Sequence, residues 1–381
     1  MKTPFIRIGG LRGDAGGGTS GAPSLRDPLD GIARRRRCPR EGTPENPLRC
    51  KPPSSQQAAA AAYKIPKRLA AVVAAVGLLL AGCGSAGTPV DPAPVGHVQA
   101  PEPDGVGGLE GAAAGGQAGN CDTRSLAPSS AIPAGSTMAK IKQRGRLIAG
   151  VDQTTYLFGF LNPSTGNLEG FDIEIVKQLA TALFGSWQGH VQWTAIPSSQ
   201  RENVLKNNTV DVVVRTYSIT CSRLRDINFS STYYQAGQRV LVPRNSGVRG
   251  LADLGARKVC ATKSSTSLTA IAQAPSRPIP VSVNNWSDCL VLLQQGQVDA
   301  ISTDDVILAG MAKQDPNLEV VGDRFTQENY GVGIPKGQDD MVRWVNSVLD
   351  GVRSNGTWQQ NYNEWIAPVL GPASPPSVSY Q

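Results

Sequence analysis

The residues best equipped for chemistry in this chain of 381 are its cysteines, seven in all. Cys83 stands in LLLAGCGS (78–85), directly after an apolar run. A thiol there could face a core, pair in a disulfide or serve as an attachment point. Four more follow it: Cys121, Cys221, Cys260 and Cys289. An even number in an exported chain suggests two disulfides, with three connectivities open. Their spacings match no zinc pattern, and His97 and His190 are the only histidines. That argues against a His-ligated metal and against a Ser-His-Asp triad. A further candidate is KSSTS (263–267), which reads as a loop opening a helix. Backbone N–H groups at such a start, helped by Thr266 and Ser267 hydroxyls, can hold an anion.

The elements around Cys83 set its chemistry. Lys64, Lys67 and Arg68 precede twelve residues, Leu69 to Leu80, that are all apolar or Gly. A membrane-spanning helix needs about 20 apolar residues. A secretory h-region after a basic n-region needs about 7–15. Leu80-Ala81-Gly82-Cys83 resembles a bacterial lipobox, which implies cleavage before Cys83 and a lipid on its sulfur. Residues 84–120 are dominated by Gly, Pro and Ala and are expected to be a disordered tether. Residues 1–63, with RRRR at 34–37, show no periodicity. The expected reading is a long n-region, or a true start at an alternative codon further in. A basic nucleic-acid-binding arm is the competing one.

Charge removes that competitor for the exported part. Residues 1–82 hold 14 of the 37 Lys and Arg and 5 of the 30 Asp and Glu. The rest carries 23 basic against 25 acidic residues, near neutrality, and gives no charge argument for nucleic acid.

From Cys121 to Pro372, β-rich runs alternate with helical stretches. The runs are RLIAGV (146–151), HVQWTAI (190–196), VDVVVRT (210–216), RVLVP (239–243), RKVCAT (257–262), VSVNN (281–285), VDAIST (298–303) and LEVVG (318–322). This predicts an α/β fold with mostly parallel sheets. In GFDIEIVKQLATALFG (170–185), Phe171, Ile175, Leu179 and Leu183 form one stripe, widened by Val176 and Ala180. Asp172 and Glu174 fall in the first turn, where negative charge suits the helix dipole.

Five blocks in order resemble the family 3 extracellular solute-binding proteins, the polar amino-acid receptors of ABC importers. They are G-F-D-I-E-I-x-x-x-L-A; Arg201…Leu205 followed by VDVVVRTYSITCSRLRDINFSSTYY (210–234); RKVCATKSSTS (257–267); GQVDAISTDD (296–305); and VNSVLDGVRSNGTWQQNYNEWI (345–366). CATKSSTS and ISTDDVILAG are most similar to those of glutamate- and glutamine-binding lipoproteins of actinobacteria. The resemblance implies a two-lobe, class II-like Venus-flytrap fold that closes over a ligand. Lobe 1 would be 121–241 with 325–372, and lobe 2 would be 245–321. Residues 1–82 would be the leader, 83–120 the tether and 373–381 a tail. Hinge strands would run through Val240–Pro243 and Asp323–Gln327.

The resemblance also assigns a site. Arg223 would hold the ligand carboxylate, a task its planar fork suits. Ser218 would add a hydroxyl and the Thr216 carbonyl would accept from the ammonium. Asp304 would pair with the ammonium, with Asp305 as its rival and Thr303 beside it. Thr266 and Ser267 would line the carboxylate, and Lys263 the side chain. Asp152 would face ligand from a strand end, and either Tyr156 or Phe158 would sandwich it. Arg215 departs from a usually small position and could meet a side-chain carboxylate. The two-lobe layout implies Cys121–Cys221 in lobe 1 and Cys260–Cys289 in lobe 2.

The expectation is thus a monomeric, lipid-anchored receptor on the outer face of the cell membrane. It would bind a free acidic or amide L-amino acid, need no cofactor or metal, and deliver to an ABC permease. A sensor signalling to a membrane partner is one alternative. A cyclohexadienyl-dehydratase-like enzyme is another, disfavoured because no unassigned pocket Glu is evident.

Overall fold

The computed structural model describes residues 100–109 and 120–381. Cys83, the leader and most of the tether lie outside the described residues. Among the described residues no helix is long and apolar enough to cross a membrane.

Fifteen strands follow in chain order among the described residues: β1 Leu147–Val151, β2 Thr154–Thr155, β3 Gly159–Leu161, β4 Leu168–Glu169, β5 Val191–Ala195, β6 Val212–Val213, β7 Ile227–Phe229, β8 Tyr234–Ala236, β9 Gln238–Pro243, β10 Lys258–Thr262, β11 Ile279–Val283, β12 Ala300–Asp304, β13 Leu318–Val321, β14 Glu328–Tyr330 and β15 Gly333–Pro335. They build two five-stranded sheets, β5-β1-β6-β15-β7 and β11-β10-β12-β9-β13. All eight β-rich runs of the sequence fall on strands. The central pairs are parallel, β1 with β5 and β6, and β10 with β11 and β12. β15 and β9 enter their sheets antiparallel. This is the two-lobe α/β architecture that the sequence predicts.

The helix Phe171–Phe184 packs the expected stripe against the first sheet and is bounded by Gly170 and Gly185. Asp172 lies in the first turn, as expected, and is also tied into the core. It is buried, and its Oδ2 accepts from the Thr216 N–H at 2.8 Å while Oδ1 accepts from the Tyr233 hydroxyl at 2.7 Å.

The first hinge segment lies earlier than expected and the second slightly later. Val240–Pro243 belong to β9, inside the second sheet, because β9 pairs with both β12 and β13. The crossing ribbon is β8 paired with β14, Glu328 opposite Ala236 and Tyr330 opposite Tyr234. Lobe 1 therefore ends near Ala236 rather than at 241. At Gly237 the crossings approach so closely that a Cβ would lie 2.6 Å from the Thr326 carbonyl oxygen. Two other boundaries shift as well. Tyr380 in the expected tail bridges to Ser125 and bonds to Asp350 and Arg353. Gly107 in the expected tether bridges to Ser282 in β11.

Disulfides join Cys121 to Cys221 and Cys260 to Cys289. The first pins the start of the helix Cys221–Asp226, which carries Arg223. The second ties β10 to the helix Trp286–Gln294. Each lies within one lobe, so neither opposes lobe motion.

Candidate functional site

The site forms where the two sheets turn their loop ends toward each other. From lobe 1 come Ser198, Arg201, Thr216, Ser218 and Arg223. From lobe 2 come Ser265, Thr266, Ser267, Trp286, Thr303, Asp304 and Ile307. The lobes meet closely here and leave only about 10 Å³ between these residues. An amino acid is much larger than that, so its entry requires the lobes to part.

The lobe 1 wall is cationic. Arg201 opens the helix Arg201–Lys206, and its Nε donates to the Ser198 carbonyl at 2.9 Å. Arg223 sits in the helix Cys221–Asp226, whose cap is the Thr220 hydroxyl accepting from the Arg223 N–H. Both guanidiniums lie over the buried Tyr217 ring, at 4.4 and 4.8 Å from its centroid. Both also donate to the Ser264 carbonyl of lobe 2, at 3.2 and 3.0 Å. Burial, and then the charge of Arg223, push the Arg201 guanidinium down to about 9. It remains charged at neutral pH, and two like charges in a dry wall favour an anion between them.

Backbone strain marks both sides. Thr216 has φ 40° and Ser264 has φ 58°, a left-handed region that side-chain-bearing residues seldom occupy. Thr216 is held there by Asp172. Its carbonyl accepts from Arg201 at 3.4 Å.

The lobe 2 wall supplies a buried carboxyl group. Asp304 ends β12, is buried, and accepts through Oδ2 from the Tyr330 hydroxyl. Its Oδ1 has no hydrogen-bond partner. Burial, followed by the nearby Glu328 carboxylate, holds the Asp304 carboxyl well above the usual range. Its side chain makes no capping bond to the helix Asp305–Gln314. Asp305 is occupied elsewhere, paired with Arg324 and accepting from the Gly237 N–H. Ser267 and Thr303 share a hydroxyl–hydroxyl bond of 2.9 Å. Ser265 caps the helix Thr266–Gln273 by accepting from the Leu268 N–H.

Seven of the expected residues thus lie on the cleft: Thr216, Ser218, Arg223, Thr266, Ser267, Thr303 and Asp304. Five lie elsewhere. Arg215 and Asp152 are buried and pair with one another at 2.9 Å, so neither faces a ligand here. Phe158 is a core ring, edge-on to Tyr234 and Tyr330. Tyr156 packs on Phe160 and lines a neighbouring hollow with Trp286 and Ile307. Lys263 is not among the residues lining the cleft. In their place stand Arg201, Ser198 and Trp286, the last with a buried indole N–H that has no hydrogen-bond partner. Arg201 was legible only as a landmark ahead of the VDVVVRT block.

Beyond Arg223 and Thr266 a larger hollow of about 310 Å³ opens, reaching Phe325 and Glu328. Glu328 is buried and accepts from the Thr266 hydroxyl at 3.0 Å. This carboxylate corrects the expectation that no unassigned acid adjoins the pocket.

A family model described as bacterial extracellular solute-binding proteins, family 3, matches residues 147–368. The chain belongs to that family. Among its relatives is the ABC transporter glutamine-binding protein GlnH of Bacillus subtilis, 36% identical over 231 residues, covering 60% of this chain and 84% of the relative. The glutamate-binding protein GluB of Corynebacterium efficiens is 28% identical over 233 residues, covering 58% and 79%. A crystal structure of the ancestral amino acid-binding protein AncCDT-1, described as a precursor of cyclohexadienyl dehydratase, is 29% identical with a TM-score of 0.56, covering 60% of this chain and 99% of that one. In this solute-binding protein the matched region runs from β1 to the helix Ala367–Leu370 and contains every cleft residue named above.

Proposed function

We propose that this solute-binding protein takes a free L-amino acid of the glutamate and glutamine class and hands it to an ABC permease. In this reading a lipid on Cys83 keeps it at the outer face of the membrane. The observation that carries the proposal is the opposed pair of walls: Arg201 and Arg223 on lobe 1, and buried Asp304 with a free Oδ1 on lobe 2. A ligand carboxylate fits the Arg223 fork, and its ammonium fits Asp304. The second guanidinium, Arg201, then suits a side-chain oxygen, whether carboxylate or amide. That role passes from Arg215, whose charge is spent on Asp152. Ligand groups bridging both lobes stabilise the closed form, so closure is a population shift driven by differential contact.

Calorimetry of the purified chain with the free amino acids tests this. Binding of glutamate or glutamine that is lost in Arg223→Ala supports it. A folded sample that gives no heat with any amino acid would overturn it.

A dehydratase is the second reading, favoured by buried Glu328 beside the cleft and by the relation to AncCDT-1. Loss of water from a cyclohexadienol substrate, abolished in Glu328→Gln, would support that reading instead. A sensor would show the same ligand binding, and its partner would be a signalling protein rather than a permease.

A further inference from the structure

The outer edge of β11 is an end strand of the second sheet, since β11 pairs with β10 alone among the strands of that sheet. Such an edge presents unpaired backbone groups and is ready to accept another strand. Gly107 lies against it. Gly107 and Ser282 exchange both backbone bonds, Gly107 N–H to Ser282 O at 2.9 Å and Ser282 N–H to Gly107 O at 2.7 Å. Asn284 Nδ2 donates to the Asp104 carbonyl at 3.1 Å, and Gln297 Nε2 donates to the Ala100 carbonyl at 3.0 Å. Val106 is partly buried against the hydrophobic core. The hydrogen-bond partners all belong to lobe 2.

Pro103-Asp104-Gly105 is a turn sequence, and Gly105 supplies the positive φ of 77° that the turn needs. A Cβ there would meet Asn284 Nδ2 at 2.7 Å. Gly at 105 therefore leaves room for the Asn284 side-chain amide, where a flexible linker would need no glycine in particular.

We propose that the β11 edge is a strand-addition site filled in cis by Asp104–Gly107, and that the N-terminal segment is thereby fastened to lobe 2. Further along the chain, Cys121 is bonded to Cys221 in lobe 1. The chain thus visits lobe 2 before lobe 1, and any load on the N-terminal segment is borne by lobe 2. Because every clip contact lies on one lobe, the clip moves with lobe 2 and stays in place whether the lobes are open or closed. Nothing in the clip depends on which ligand the cleft takes.

Hydrogen exchange of the full chain, read at the Ser282 amide, tests it. Two variants loosen the clip: Gly107→Pro, which removes the donor to Ser282 O, and Gly105→Val, which adds a side chain at the crowded positive-φ position. The expected result is a protected Ser282 amide in the native chain, with exchange at least tenfold faster in both variants. The amides of β12 should keep their protection, which separates clip release from unfolding. Asn284→Ala, which leaves the clip backbone unchanged, should give an intermediate effect. A Ser282 amide that exchanges freely in the native chain, or that is equally protected in both glycine variants, would overturn the proposal.

Discussion

Arg215 and Asp152 form a buried ion pair, Nη2 to Oδ2 at 2.9 Å, with side-chain exposures of 0% and 3%. Asp152 also accepts from the N–H groups of Gln153 and Thr154 and from both threonine hydroxyls that follow it. Arg215 donates to the Ile196 carbonyl at 2.7 Å and to the Ser198 hydroxyl at 2.6 Å. The pair fastens the loop after β1 to the end of β6 and fixes Ser198 on the cleft wall. Removing one member strands the other charge out of water. Arg215→Met should therefore cost about 3–5 kcal/mol in urea unfolding. Combining it with Asp152→Ala should cost much less than the sum of the two single changes. Additive losses would show that the pairing contributes nothing.

The two cleft guanidiniums should separate in their effects. Arg223→Ala should weaken every amino-acid ligand, because the α-carboxylate is common to all. Arg201→Ala should weaken glutamate more than glutamine, because a charged side-chain oxygen gains more from a second cation. Charge-assisted hydrogen bonds contribute about 1.5–3 kcal/mol, so losses of tenfold to over a hundredfold are expected. Competition calorimetry with the two ligands reads the ratio. Equal losses for both ligands in Arg201→Ala would remove Arg201 from side-chain recognition.

Asp172 gives a pH signature to stability. Burial raises its carboxyl from 3.8 to about 7, against the lowering effect of its bonds from Tyr233 and Thr216. The folded state therefore keeps a proton that the unfolded chain has lost. Its contribution to stability is largest below about pH 4, falls as pH rises, and levels off above pH 7. Each tenfold difference in proton affinity between the folded and unfolded chain is worth about 1.4 kcal/mol, so the whole change is roughly 4 kcal/mol. Unfolding of the native chain and of Asp172→Asn between pH 4 and 8 should give curves whose difference has this slope. Parallel curves would show that Asp172 does not titrate in that window.

What sequence made legible follows from local physics. Runs such as RKVCAT and VDAIST are strands because β-branched residues recur between polar turns. Phe171 to Leu183 keeps a helical stripe whatever surrounds it. Residues whose roles depend on the crossing of β8 with β14 were harder to read. Asp304 and Asp305 are neighbours in sequence, yet one faces the cleft and the other pairs with Arg324 at the hinge. Phe158 and Tyr156 are both aromatic residues of one loop, and only packing against Phe171 and Tyr234 assigns Phe158 to the core. Trp286 reaches the cleft from the start of a helix far along the chain from the lobe 1 wall it faces. No short-range pattern carries that information. Arg215 misled because a buried arginine beside a strand end has the same local sequence whether it waits for a ligand or already holds Asp152.

Asp304 should make ligand affinity depend on pH. In the free protein its carboxyl is held well above the usual carboxylate range, by burial first and by Glu328 second. An ammonium seated at its free Oδ1 would favour the ionised form, so binding should release a proton at pH values between the lowered value in the complex and the raised value of the free protein. Affinity should therefore rise with pH across that interval and flatten once Asp304 is ionised without ligand. Calorimetry in buffers of different ionisation heat counts the proton directly. Asp304→Asn should abolish both the release and the slope, and weaken binding by about 1–1.5 kcal/mol as a charged hydrogen bond becomes a neutral one. An affinity that stays flat with pH, with no proton released, would place the ammonium elsewhere in the cleft. The orientation proposed for the ligand, carboxylate to Arg223 and ammonium to Asp304, would then have to be abandoned.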